Sequence, residues 1–247
     1  MWEHVHDVVV DNIRYRVRET GTGSSIICLH GVRWTGQIWN GLARELMQHF
    51  RVVAPDLPGH GDSSVSVDGY SFSVLSDQLA GLLDCLSIAQ ADFVCSSWAG
   101  SLGVRFAAKY PERVGRLFLI DGGYFAEQSV PNANWEAMLG GDLPEEALNG
   151  FAEYFDFVRA DDPQFWNEDI EAAVTDQVRL DASSGRLVPY HGRYRSLGNV
   201  GLPERSSLAD TVLVLEHPDL ISVSYCGKHG CRVPAGAGHG LLISAKL

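Results

Sequence analysis

The chain has 247 residues, 45% of them hydrophobic and 20% charged, which suits one domain with a sizeable core and excludes a disordered or fibrous protein. Its formal net charge of -12 and pI near 5.1 argue against nucleic acid as a partner, because phosphates demand a basic surface. No apolar run approaches a membrane span and no basic amphipathic stretch points to anionic lipid, so no membrane partner is expected.

The opening residues, Met1-Trp2-Glu3-His4-Val5-His6, lack a basic region followed by an apolar core. We therefore expect no signal peptide and a cytoplasmic location. Alternation through Val8-Val9-Val10 and Ile13 to Arg18 predicts an antiparallel hairpin. Ile26-Ile27-Cys28-Leu29 is an apolar strand ending in His30-Gly31, and Ile38, Leu42 and Leu46 mark a helix by their four-residue spacing. Val52-Val53-Ala54-Pro55 is a strand leading into the turn Asp56-Leu57-Pro58-Gly59-His60-Gly61. Leu75, Leu79, Leu82, Leu83 and Leu86 predict a second helix with Asp77 and Asp84 on its wet side.

Asp92-Phe93-Val94-Cys95-Ser96 is a strand that runs through Ser97 into a third helix. That helix is small early on (Ala99, Gly100, Gly103), which allows close packing, and Pro111 ends it. Val114 to Ile120 is the next buried strand. Strands alternating with helices predict an α/β class with a mainly parallel sheet covered on both faces. From Gly122 to about Arg205 the rhythm changes. Trp135, Phe151, Tyr154, Phe155, Phe157, Phe165 and Trp166 crowd an acidic stretch interrupted by Pro131, Pro144 and Pro163, which reads as helical. Thr211 to Leu215 resumes the sheet, Cys231-Arg232-Val233 is its last strand, and a Gly-Ala-Gly-His loop ends at His239.

Ser97 stands where a strand turns sharply into a helix, the position of a nucleophile elbow. The elbow pattern Gly-x-Ser-x-Gly keeps the flanking residues small; here they are Cys95 and Ala99. Taking Ser96 instead puts Val94 and Trp98 at those crowded positions, and Trp98 fits poorly there. With His30-Gly31, the Pro-Gly-His-Gly turn and His239 in the same order, the chain resembles the α/β-hydrolase superfamily from about Gly21 to Gly240. The resemblance implies an α/β-hydrolase core over 1–121 and 206–247, with a helical cap inserted over 122–205.

The same resemblance implies site residues. Ser97 is the expected nucleophile and His239 the general base. The backbone N–H groups of Val32 and Trp98 form the expected oxyanion hole. Most relatives carry the acid after the seventh strand, which points to Asp219; others carry it at the end of the sixth, which points to Asp121, and Glu216 is a third candidate. His30 is expected to order the oxyanion loop and His60 to shape its turn. Val32, Arg33, Trp34 and Trp98 line the pocket, with Arg33 either solvated or meeting a substrate carboxylate. A serine at the elbow argues against haloalkane dehalogenases and epoxide hydrolases, which attack with aspartate.

The leading expectation is a cofactor-independent serine hydrolase that cleaves a small or medium ester, lactone or thioester through an acyl-enzyme on Ser97. The alternatives are a C–C bond hydrolase, lyase or cyclase on the same fold, and a ligand-binding member without turnover. The partner is a small-molecule substrate. Five cysteines are an odd number and suggest no disulfide framework. Cys226-Gly227-Lys228-His229-Gly230-Cys231 lacks a fourth metal ligand nearby, so no metal is expected. The chain ends at Leu247, soon after His239, where relatives carry a longer helix. Either a homodimer partner covers that face or the chain is shortened.

Overall fold

Unbroken apolar runs build the middle of the molecule. Ile26 to Leu29, Val52 to Ala54 and Phe93 to Cys95 are all buried, the mark of strands covered on both faces. In a computed structural model of the chain, residues 2–66, 68–120, 122, 143–160, 163–189 and 220–223 are described. Strands β1 (His4–Val10), β2 (Ile13–Thr20), β3 (Ser24–Leu29), β4 (Phe50–Pro55), β5 (Ala91–Ser96), β6 (Val114–Ile120) and β9 (Leu220–Val223) form one seven-stranded sheet. Their order is β1-β2-β4-β3-β5-β6-β9. β1, β2 and β4 pair antiparallel, and every pairing from β4 to β9 is parallel.

Both faces are covered, as the alternation of elements predicts. Helices α2 (Phe72–Cys85) and α3 (Trp98–Lys109) bury Leu75, Leu79, Leu83, Leu102 and Phe106 against one face. The other face is covered by α1 (Asn40–Leu46), which brings Ala43 against Cys28, Val52 and Val94. Ser71 caps α2 by accepting the Val74 N–H at 3.3 Å. Asp77 and Asp84 lie on the solvent side of α2, with side chains 54% and 67% exposed.

Between β6 and β9, the described residues 143–189 gather around a small apolar cluster of Ala147, Tyr154, Val174, Val178 and Leu187. Two helices, α4 (Phe151–Arg159) and α5 (Glu168–Thr175), supply part of it. A hairpin of β7 (Val178–Asp181) and β8 (Arg186–Pro189) supplies Val178 and Leu187, and a 3-10 turn at Glu145–Leu148 supplies Ala147. The residue pattern of this stretch predicts helices alone. The hairpin escapes it because each strand has only four residues, too few to display a period. The sheet resumes at Leu220–Val223, a strand the reading did not single out. The expected strands at 211–215 and 231–233 lie outside the described residues. No helix among the described residues is long and apolar enough to cross a membrane.

One buried ionic network ties residues 143–189 to the sheet. Arg18 on β2 is 5% exposed and reaches Asp56, which is fully buried, at 2.5 Å and Asp176 at 2.5 Å. Asp56 also accepts the N–H groups of Gly36 and Asp62, and Asp176 accepts the Thr35 hydroxyl at 2.6 Å. Removing the cation leaves a buried carboxylate with no counter-charge. Arg18→Met should therefore destabilise the fold by about 3–5 kcal/mol, whereas Asp176→Asn, at the exposed end, should cost about 1 kcal/mol. Urea midpoints of the two variants measure the difference; equal midpoints would remove the network from the core.

Candidate active site

The strand order alone locates a crevice. From β3 the chain crosses to β4 on one side, and from β5 it crosses to β6 on the other. Adjacent strands whose connections leave in opposite directions open a crevice at their carboxyl ends, where ligands bind in sheets of this type. At that edge β3 ends before His30-Gly31 and β5 ends before Ser97. A Cβ on Gly31 would lie 3.1 Å from the Ser97 Cβ and 3.7 Å from its Oγ, so the two loops are in contact.

Ser97 is held in a strained conformation, φ 52° and ψ -121°, between the last residue of β5 and the first of α3. Such backbone costs on the order of 1–3 kcal/mol in a non-glycine residue and persists only where the surroundings enforce it. The enforcing contacts are visible. The Ser97 N–H donates to the Ile120 carbonyl at 2.8 Å, and the Gly100 N–H donates to the Ser97 carbonyl at 2.9 Å. Gly122 presses from the far side: a Cβ there would stand 2.0 Å from the Ser97 carbonyl oxygen. Ser96, by contrast, is an ordinary β5 residue paired with Ile120.

The elbow tolerates cysteine two residues before the serine because α3 makes room for it. Cys95 is fully buried, and a Cβ on Gly103 would meet its sulfur at 2.7 Å. Ala99 is likewise fully buried. Trp98 opens α3, so its N–H has no acceptor within the helix, as an oxyanion donor requires. Its ring packs on Phe72 at 5.6 Å between centroids.

His30 braces the loop opposite. Its Nε2 accepts the Leu57 N–H at 2.9 Å, so the ring proton sits on Nδ1 and is donated to the Gly31 carbonyl at 2.7 Å. His60, also buried, meets the His30 ring edge to face at 4.8 Å and stands in the turn after Leu57. Burial lowers the His30 pKa to about 4 from an ordinary 6.5. The folded pKa lies below the unfolded one, so below pH 6.5 the unfolded chain binds the extra proton. Stability present above pH 6.5 should be lost as pH falls towards 4, by roughly 3 kcal/mol from this group. Urea midpoints between pH 7 and pH 4.5 check this; His30→Gln should flatten the slope, and an unchanged slope would acquit His30.

Of the residues expected at the site, the structure brings together Ser97, Trp98 and the Gly31–Val32 loop. His239, Asp121, Asp219, Glu216 and the Cys226–Cys231 cluster lie outside the described residues. The reading missed the parts played by Gly103 and Gly122. Gly103 stood out only as one of several small residues, and nothing local marks which of them faces Cys95. Asp121-Gly122-Gly123 directly after a buried strand was the available signal for Gly122.

A sequence profile described as the alpha/beta hydrolase fold matches residues 25–202. A putative 2-succinyl-6-hydroxy-2,4-cyclohexadiene-1-carboxylate synthase of Bacillus subtilis is 27% identical over 258 aligned residues, covering 98% of this chain and 88% of that one. A 2-hydroxymuconate semialdehyde hydrolase of a Pseudomonas species is 34% identical over 120 residues, covering 46% of this chain and 42% of that one. The alignments to the Pseudomonas relative and to an uncharacterised protein of Mycobacterium tuberculosis span only 42% and 37% of those proteins. Among solved structures, E-2-(acetamidomethylene)succinate hydrolase superposes with a TM-score of 0.68 at 22% identity, over 90% of this chain and 80% of that one. At that identity the likeness speaks for the fold.

Proposed function

The chain belongs to the α/β-hydrolase fold family, and from that membership we propose that it is a serine hydrolase attacking a small-molecule carbonyl through Ser97. The observation that carries the reading is the strained Ser97 backbone at the carboxyl edge of the sheet, facing the Gly31 loop. Strain of this kind exposes the hydroxyl oxygen and aims the start of α3 at the reacting centre. His239 takes the Ser97 proton as the oxygen attacks and returns it to the leaving group. The N–H groups of Val32 and Trp98 hold the developing oxyanion, and water then releases the acyl group. No cofactor takes part in these steps. The substrate is an ester, lactone or thioester that reaches Ser97 beneath a cap drawn from residues 122–205.

Asp121 is the proposed acid. Its support is directional: Ser97 contacts both neighbours of Asp121, the Ile120 carbonyl on one side and Gly122 on the other. β9 runs parallel to β6 with Leu220 level with Leu117 in mid-strand and Val223 level with Ile120, so it runs towards the Ser97 edge, and Asp219 precedes it in the chain. No Asp or Glu follows Val223 in the sequence.

A second reading, hydrolysis of a C–C bond beside a carbonyl, draws support from the likeness to relatives named 2-hydroxymuconate semialdehyde hydrolase and 2-hydroxy-6-oxo-2,4-heptadienoate hydrolase. It uses the same nucleophile region, so Ser97 chemistry is tested first. Fluorophosphonate treatment followed by peptide mapping should place one adduct on Ser97. A panel of esters, thioesters and a 2-hydroxy-6-oxo-dienoic acid then separates the two readings by turnover. An adduct on Ser96, or none with no turnover, would overturn the proposal.

A further inference from the structure

We propose that Arg33 is a specificity-determining residue that binds a carboxylate of the substrate next to the carbonyl that Ser97 attacks. The inference rests on the Ser97 reading and deepens it by naming the charge the substrate carries. Arg33 sits in a turn closed by the Trp34 N–H on the Gly31 carbonyl at 3.3 Å. At one end of this turn Gly31 lies against Ser97; at the other, Trp34 packs into the apolar cluster of residues 143–189. The turn that carries Arg33 thus spans from Ser97 to the cluster of residues 143–189.

Its backbone is strained. Arg33 has φ 71°, in the left-handed region that costs a side-chain-bearing residue roughly 1–2 kcal/mol and that glycine enters freely. An arginine kept at such a position invites a functional reason. Arg18, Arg44, Arg51 and Arg113 each pair with a carboxylate. Among the described residues no carboxylate pairs with Arg33, although it is half-buried. Burial pushes the pKa of Tyr154, 2% exposed, upwards, and the positive charge of Arg33 opposes that rise. The Tyr154 hydroxyl donates to Gln177 at 2.9 Å.

A half-buried guanidinium without a counter-ion is costly, and a planar two-oxygen anion matches its fork of donors. One guanidinium balances a monoanion; a phosphate dianion calls for more positive charge than this turn supplies. The ligand class is therefore a carboxylate.

The test reads binding without turnover. In the Ser97→Ala background, titration calorimetry compares monomethyl and dimethyl esters of succinate, glutarate and adipate. At one chain length or more the free carboxylate should tighten binding by about 10- to 100-fold. Arg33→Gln added to that background should abolish the preference, and Arg33→Lys should restore part of it as a point charge. Equal binding of both esters at every length, or a preference that survives Arg33→Gln, would overturn the proposal. Failure of the Ser97 reading is distinct: the preference stays intact in binding while the wild-type protein hydrolyses neither ester.

Discussion

Ser97→Ala should lower ester turnover by at least on the order of 10⁴-fold, and Ser96→Ala should leave it within a few-fold of the wild type. The two serines are adjacent, yet their surroundings differ sharply. Ser96 ends β5 as a ladder residue, whereas Ser97 has left the ladder with φ 52° and is pinned by Ile120, Gly100 and Gly122. Alanine keeps the Cβ, and with it the packing against Gly31, so the variant should fold and unfold as the wild type does. The loss is then chemical: no oxygen is present to form the acyl-enzyme, and what remains is binding and oxyanion stabilisation. Initial rates on an activated ester, with urea midpoints as the control for folding, decide it. A folded Ser97→Ala that retains turnover would move the nucleophile elsewhere.

The acid carries the next largest effect. Asp121→Asn should cost on the order of 10⁴-fold in turnover while the protein stays folded, because the imidazolium formed during attack loses its counter-charge and its tautomer control. Asp219→Asn should keep activity within a few-fold. The asymmetry follows from strand direction. β6 delivers the chain to Ile120 beside Ser97, whereas β9 begins at Leu220, level with Leu117 in the middle of β6, and runs towards the Ser97 edge. The sequence reading placed Asp219 first because the position after the seventh strand is the commoner one in the superfamily. That placement took residues 211–215 as the strand. Residues 211–215 lie outside the described residues, and the described strand Leu220–Val223 beside β6 follows Asp219 in the chain. Inactive Asp219→Asn with active Asp121→Asn would reverse the assignment.

Much of this fold was legible in the sequence because it is written in local patterns. Continuous apolar runs such as Ile26–Leu29 and Val52–Ala54 declare strands buried on both faces. Leucines at helical spacing declare α2, and a run of small residues after Ser97 declares a helix close to the sheet. Ser97 itself was legible by elimination, since the Ser96 register asks Trp98 to fit where only a small residue can.

Other features depend on residues far apart in the chain, and local pattern is silent on them. That Cys95 is accommodated by the bare face of Gly103, and that Gly122 presses on the Ser97 carbonyl, are facts of packing between β5, α3 and the end of β6. Arg18 carries no mark in the sequence; its role appears only where β2, the turn after β4 and the end of α5 converge on one guanidinium. Arg33 was legible as a cation near the His30-Gly31 loop, but its left-handed backbone is a tertiary fact. Residue type and spacing determined which elements form and singled out Ser97 as the candidate nucleophile. The direction and adjacency of strands, set by burial of surfaces distant in sequence, decided that Ile120, Gly122 and the Gly31 loop stand beside it.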